Sequence, residues 1–258
     1  MTPEVIATVV FAAVGLCIGS FLNVVIHRLP RGASVVSPPS RCPNCSYQLR
    51  WSDNIPVLSW LFLRGRCRKC GAGISVRYLI VELLTMAVFL LHLWVFGWTV
   101  LMAVRVAFAT AMVALFAIDL EHHLLPNAIT LPGIVVGLIV SLVVPPGILD
   151  SILGTLLGGG VLWAIGEAYY RYSGQEGMGG GDVKMLAMIG AFLGWKLVLV
   201  TLVLSSVAGS LIGVLVIAVK RGGMKYALPY GTFLALGALA ASLVGDRIIA
   251  WYLGMYDF

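Results

Sequence analysis

Charged residues are scarce in this sequence. Only 11% of the 258 residues are Asp, Glu, Lys or Arg, whereas soluble domains carry roughly 25%. Four stretches hold no charge and reach the roughly 20 residues that a helix needs to cross a bilayer; they are residues 5–26, 128–149, 197–219 and 226–245. These stretches are continuously apolar rather than alternating, which favours helices over strands. The composition therefore excludes a soluble domain and predicts an integral membrane protein.

Acidic residues are almost missing from one segment. Nine of the 17 Lys and Arg residues lie between Arg28 and Arg77, where Asp53 is the only acid. Such a basic block is typical of a cytoplasmic loop. Nucleic acid or acidic lipid is an alternative partner for it. Because the positive-inside rule accounts for the block, we expect membrane lipid and no nucleic acid as a partner.

The expected architecture is an all-α polytopic membrane protein with about eight transmembrane helices. The amino terminus lacks the basic stretch of a cleaved signal peptide, so we expect the first span to be retained. With the basic loop inside, both termini lie outside the cytoplasm, and Lys220, Arg221 and Lys225 support this orientation. The predicted spans are residues 5–26, 78–96, 98–118, 128–144, 151–170, 183–195, 197–219 and 228–251. We divide the chain into a first helix (1–26), a cytoplasmic loop (27–77) and a membrane core (78–258).

Four of the five cysteines form two Cys-x-x-Cys pairs within the loop. They are Cys42, Cys45, Cys67 and Cys70. This spacing is typical of a tetrahedral zinc site, and four thiolates leave no open position for catalysis. Two disulfides are the alternative, but a cytosolic loop is in a reducing compartment. We therefore predict a structural zinc ion that staples the loop.

Two carboxylates are predicted to lie at the inner ends of different helices. Asp119 closes the third span, and Asp182 opens the sixth after the run Gly177-Met-Gly-Gly-Gly181. At close range two carboxylates share a proton, so one can activate water while the other polarises a carbonyl. Asp119 with Glu121 fails as a pair, because residues two apart on a helix point about 200° apart.

Interpretations without catalysis exist for the glycine run before Asp182 and for the residues that follow Asp119. The glycines can let a substrate backbone approach closely, or they can form a flexible loop in which Asp182 caps a helix. His122 and His123 could bind a metal together with Glu121, although a polar cluster at the membrane interface is the alternative.

An ordered series of motifs resembles the bacterial type IV prepilin peptidases, membrane aspartic proteases of the Gly-x-Gly-Asp type. The matching stretches include Gly19-Ser-Phe-Leu-Asn-Val-Val25, Cys42-Pro-Asn-Cys45, Trp51-Ser-Asp-Asn-Ile-Pro56, Arg64-Gly-Arg-Cys67, Val81-Glu-Leu-Leu84, Ile118-Asp-Leu-Glu121, Glu176-Gly-Met-Gly-Gly-Gly-Asp-Val-Lys184 and Gly190-Ala-Phe-Leu-Gly-Trp195.

The resemblance implies a function and assigns residues to it. Such enzymes cut a short basic leader from prepilins or pseudopilins of type IV pilus and type II secretion systems, at the cytoplasmic face of the inner membrane. Many of them then N-methylate the new amino terminus with S-adenosylmethionine. The implied catalytic residues are Asp119 and Asp182, supported by Gly179, Gly181 and Lys184. The four paired cysteines match the zinc loop, and Gly65 and Arg66 match positions associated with methyl transfer.

The sequence departs from the family pattern at two places, and two rival functions are compatible with its residues. Asn127 stands where the family commonly has Asp, and Pro229-Tyr-Gly-Thr232 stands where it commonly has Pro-Phe-Gly-Pro. We expect neither departure to touch the two aspartates. The rivals are a proton- or cation-coupled carrier that uses the paired aspartates, and a membrane anchor for a zinc-knuckle module, which leaves those aspartates unexplained.

Overall fold

A computed structural model describes residues 2–175, 177, 179–220 and 229–255. Over these residues the protein is all-α, as predicted, and forms two compact units, Met1–Trp98 and Thr99–Phe258. Glu176 and Met178 of the glycine-rich motif lie outside the described residues, as do Arg221, Lys225 and the side chain of Lys220. The division at residues 26 and 77 is one of function and stays a prediction.

The first unit consists of two long helices and the cysteine loop. Helix α1 (Pro3–Arg28) packs against α3 (Val76–Phe96), and the Ser75 side chain caps α3 by accepting the backbone N–H of Arg77 at 3.2 Å. The loop between them contains short 3-10 turns at Leu29–Arg31 and Trp51–Asn54 and the short helix α2 (Leu58–Phe62). Two long apolar helices therefore frame a loop with little regular structure.

The second unit contains α4 (Val100–His122), α5 (Asn127–Val140), α6 (Ile148–Ser173), α7 (Gly180–Lys220) and α8 (Tyr230–Gly254). Helix α7 packs against α5, α6 and α8, and α4 packs against α8. The buried core of the second unit comes largely from α4, α7 and α8. It includes Phe108, Met112, Leu115, Met185, Leu186, Ile189, Leu234 and Ala238.

Helix α7 doubles back at Gly194. That residue has φ 78° and ψ 170°, which is not helical and suits glycine because it carries no Cβ. On one side of Gly194, Gly181 lies against Leu125, which also contacts Gly231 at the beginning of α8; on the other side, Gly209 lies against Phe233. Both arms of α7 therefore reach the same end of α8, and Gly194 lies at their far end.

Six helices in the described residues are long and apolar enough to span a membrane, namely α1, α3, α4, α6, α7 and α8. Helix α5, with 14 residues, is shorter. The break at Gly194 falls one residue before the end of the predicted sixth span, 183–195, and the expected total of about eight is not confirmed. One boundary differs near the site: α4 continues to His122, so Asp119 lies inside its last turn rather than after it.

Candidate active site

Asp119 is buried, with 5% of its surface exposed, and two donors from α8 reach one of its oxygens. The backbone N–H of Thr232 donates to Oδ2 at 2.7 Å, and the hydroxyl of Thr232 donates to the same oxygen at 3.0 Å. Thr232 is the third residue of α8, and the first four N–H groups of a helix have no partner within it. The side chain of Asp119 therefore caps the N-terminus of α8.

This contact corrects one expectation. The departure from the family pattern at Thr232 was expected not to touch the aspartates, yet it supplies both hydrogen bonds to Asp119. A proline at this position could not supply the N–H bond, because proline has no backbone N–H. In the sequence, the departure itself was the sole indication of this residue.

Asp182 lies in the first turn of α7 and is half-buried. Its backbone N–H donates to the carbonyl of Gly179 at 3.1 Å, which fixes the turn before the helix. A Cβ on Gly179 would lie 3.4 Å from the Asp182 carboxylate, an ordinary contact, so this glycine leaves modest room beside the acid.

Leu125 brings the two aspartates to the same place. A Cβ on Gly181, the neighbour of Asp182, would lie 3.0 Å from Leu125 Cβ, and one on Gly231 would lie 2.8 Å from Leu125 Cδ1 and 2.9 Å from Asp119 Oδ2. The structure therefore brings Asp119 and Asp182 together at the meeting point of α4, α7 and α8.

Lys184 ties the beginning of α7 to that of α5. Its Nζ donates to Asn127 Oδ1 at 3.0 Å. Asn127, which stands where the family commonly has Asp, therefore accepts a hydrogen bond from the lysine of the glycine-rich motif. Glu121 is exposed on the same turn of α4 as the buried Asp119, as expected for residues that point in different directions.

The four paired cysteines form one cluster in the first unit. Their sulfur atoms all lie within 4.8 Å of one another, and two separations are 3.8 Å (Cys42–Cys70) and 3.9 Å (Cys45–Cys67). All four are free thiols, and both separations far exceed the about 2.05 Å of a disulfide, so the alternative of two disulfides is wrong here. Among the described residues this is the only group of three or more ligands suited to a metal, and His122 and His123 do not form one.

Each cysteine pair sits in the same type of turn. The N–H of Cys42 donates to Tyr47 and that of Cys67 donates to Ala72, at 2.9 and 2.8 Å. The pKa of the Cys42 thiol is lowered because the backbone N–H groups of Cys45 and Asn44 stabilise its thiolate. The backbone of the first turn therefore stabilises a thiolate at Cys42, whereas the pKa of the Cys45 thiol is raised to about 11.

Asp53 connects the two turns, a role that the sequence did not reveal. Its carboxylate accepts the Arg68 guanidinium at 2.7 Å, the Arg50 backbone N–H at 3.2 Å and the Tyr47 hydroxyl at 3.4 Å. Burial alone would raise the pKa of Asp53, but the hydrogen bonds from Arg68 and Arg50 outweigh it and hold that pKa below its usual range. The single acid of the basic loop is therefore a structural link.

Gly65 and Arg66 lie beside the second turn. Gly65 has φ 63°, and a Cβ there would lie 2.8 Å from the ring of Trp60. Trp60 Nε1 donates to the carbonyl of Ile74 at 3.3 Å, while Arg66 is exposed. The ring of Trp60 therefore covers Gly65, and this packing explains why a glycine stands at that position.

Glu82 anchors the loop to α3. It is buried, and its Oε2 accepts the backbone N–H of Val57 at 2.7 Å. Val57 has φ 62°, which is a rare conformation for a β-branched residue. The carboxylate therefore holds a strained turn just before α2, a function that the sequence did not indicate.

The fold and the site define a polytopic membrane protein with two converging aspartates and a four-cysteine cluster. Residues 13–96 match the model of the bacterial peptidase A24 N-terminal domain, and residues 106–214 match that of the type IV leader peptidase family. No solved structure matches the chain significantly.

Several curated relatives span almost the whole chain, and each bears the name prepilin leader peptidase/N-methyltransferase. The protein of Stutzerimonas stutzeri is 37% identical, over 93% of this chain and 91% of its own length. That of Aeromonas salmonicida is 40% identical over 92% and 91%, and that of Pseudomonas aeruginosa is 35% identical over 95% and 92%. The chain therefore belongs to the prepilin leader peptidase/N-methyltransferase family and is a multi-pass inner-membrane protein. These relatives give the carrier alternative no support.

Proposed function

We propose that this protein cleaves the leader from prepilins or pseudopilins and N-methylates the amino terminus that cleavage exposes. The observation that carries the peptidase is the convergence of Asp119 and Asp182 at the ends of three helices. The relatives named prepilin leader peptidase/N-methyltransferase support the substrate class and both activities.

Two adjacent carboxylates with one proton suffice for hydrolysis of a peptide bond. The ionised carboxylate takes a proton from water as the water oxygen bonds to the carbonyl carbon, while the protonated one gives its proton to the carbonyl oxygen. The resulting diol collapses when the first carboxylate returns its proton to the amide nitrogen and the C–N bond breaks. The second carboxylate then recovers its proton from a diol hydroxyl, and both acids regain their starting states.

The cysteine cluster is proposed to hold a structural zinc ion. At Zn–S bonds of about 2.3 Å, tetrahedral geometry requires sulfur separations of about 3.8 Å, and the two separations of 3.8 and 3.9 Å agree with this value. Bound zinc would join the two turns of the loop. Four thiolates fill its coordination, so the ion would take no direct part in hydrolysis.

Methylation is proposed to use S-adenosylmethionine, with Gly65 and Arg66 shaping the loop that supports this activity. The surroundings of Gly65 do not suit direct contact with a donor, because the ring of Trp60 already occupies the space next to its Cα. We therefore propose that Gly65 maintains the loop conformation rather than holding the methyl donor.

The orientation in the membrane is proposed from charge. The basic loop, residues 27–77, lies in the cytoplasm, and both termini lie outside. The zinc-binding loop would then face the reducing compartment, in which thiolates persist. A test introduces a single cysteine near each terminus and treats intact cells with a thiol reagent that cannot cross the membrane. Both introduced cysteines should react, and failure of either one to react contradicts the arrangement.

A cleavage assay tests the dyad. Asp119→Asn and Asp182→Asn should each abolish leader cleavage of a prepilin-like substrate in detergent while the protein still inserts into the membrane. Glu167→Gln is the control, because this acid pairs with Arg171 on the surface of α6 and should retain activity. Full cleavage by either Asn variant would overturn the assignment.

A further inference from the structure

The two aspartates differ in their hydrogen-bond partners. Both donors from Thr232 reach the same oxygen of Asp119, and a backbone N–H can only donate. The two lone pairs of Oδ2 are thereby engaged, which leaves no position on this oxygen for a proton. In the described part of the chain, no donor binds the carboxylate of Asp182.

The position of Thr232 favours negative charge on Asp119. Its N–H is one of the groups at the beginning of α8 that have no acceptor within the helix. The helix dipole also stabilises an anion at this end. Hydrogen bonds to a charged acceptor are stronger than those to a neutral one. Because Thr232 is 5% exposed, water has little access to replace the hydroxyl.

We propose that Thr232 is a positioning residue that sets the roles of the two acids: Asp119 is the ionised, water-activating carboxylate, and Asp182 carries the shared proton and polarises the carbonyl. The inference rests on the proposed function, in which these two residues form the catalytic pair. It explains how two similar side chains acquire different roles before substrate arrives.

The elements that meet near Asp119 carry other ionisable groups, which are common to every variant in the test. In the described residues they are Asp182 and Lys184 on α7, Tyr230 on α8, and Glu121, His122 and His123 at the end of α4 and just beyond it. Lys184 binds Asn127 at 3.0 Å, and Tyr230 faces Ser205 and Ser206 at 3.4 Å. A change at Thr232 alone therefore isolates the effect of its hydroxyl.

The test measures leader cleavage against pH for Thr232→Val, which keeps the shape and the N–H but loses the hydroxyl. We expect the acidic limb of the kcat profile to move to higher pH by about one unit, because one donor to the ionised carboxylate is lost. On that limb kcat should fall roughly 10-fold, while KM stays within about two-fold. Thr232→Ser should restore the wild-type profile.

Thr201→Val is the matched control. Thr201 is also buried, and its hydroxyl donates to the Leu197 carbonyl at 2.8 Å within its own helix, so this variant should keep the wild-type limb. If Thr232→Val does not fold, Thr232→Ala should give the same shift. An unmoved limb in the folded variant, or a serine variant that fails to restore it, overturns the inference. Asp119→Asn separates the two failures, because full cleavage by that variant would refute the catalytic pair itself.

Discussion

Gly231→Ala should strongly impair cleavage, because there is no room for a side chain at this position. Gly231 is buried at the beginning of α8, where a Cβ would lie 2.8 Å from Leu125 Cδ1 and 2.9 Å from Asp119 Oδ2. Ordinary carbon–carbon contacts lie at about 3.5–4.0 Å. Either the beginning of α8 or Asp119 must therefore move by roughly 0.6–1 Å to relieve the contact.

The effect on activity follows from the neighbouring hydrogen bond. The Thr232 N–H lies 2.7 Å from Asp119 Oδ2, so such a movement would lengthen this distance to about 3.3–3.7 Å, beyond a good hydrogen bond. A hydrogen bond to a charged group contributes about 1.5–3 kcal/mol, so its loss should move the acidic limb of the kcat profile to higher pH by about one to two units and lower kcat on that limb by roughly 10- to 100-fold. Overpacking should also lower stability by about 1–3 kcal/mol.

The assay compares leader cleavage and the thermal unfolding midpoint of purified Gly231→Ala in detergent with those of the wild type. Gly254→Ala is the control on the same helix, since a Cβ there meets nothing within 4 Å. Wild-type cleavage by the Gly231 variant would refute this account of the contact between α8 and Asp119. An equal loss in the Gly254 variant would show that the effect is not specific to the site.

Three further outcomes follow from the packing. Gly181→Ala should slow cleavage several-fold, because its Cβ would crowd Leu125. A Cβ on Gly180 would meet nothing within 4 Å, so Gly180→Ala should cleave normally, and equal rates for the two variants would contradict this contrast. A double Cys42→Ser and Cys67→Ser variant should lose bound zinc, measured by elemental analysis, and should lose methylation more than cleavage; full zinc content would contradict the cluster. Glu82→Leu should leave the preceding turn without its acceptor and lower the unfolding midpoint by several degrees, while Glu82→Gln, which retains an acceptor, should lower it less; the reverse order would argue against the anchor.

Local sequence patterns predicted most of the helices and the cysteine cluster. Long apolar runs located the helical spans to within a few residues, because helix formation in a membrane depends on the composition of one segment. The paired Cys-x-x-Cys spacing located the cluster for the same reason. The end of α4 was placed too early, since Asp119 was treated as leaving the apolar region whereas it is buried against α8.

The contacts that distinguish this site are long-range and escaped prediction. Thr232 lies 113 residues from Asp119 in the chain, and Glu82 lies 25 residues from Val57. No local pattern states which helix end will meet which side chain. The return of α7 at Gly194 makes the contact of Thr232 with Asp119 possible, because it brings Gly209 on the second arm of α7 next to Phe233 at the beginning of α8.

The contact between Asp119 and Thr232 meets two requirements at once. A carboxylate inside an apolar membrane protein is costly unless donors stabilise it, and the first N–H groups of a helix need acceptors. Asp119 supplies an acceptor to α8, and α8 supplies two donors to Asp119. Removal of this carboxylate should therefore lower stability as well as activity, whereas removal of Asp182, which no donor binds within the described residues, should affect activity alone. Unfolding midpoints of Asp119→Ala and Asp182→Ala measure this difference, and equal losses would mean that the hydrogen bonds of Thr232 do not set the two acids apart.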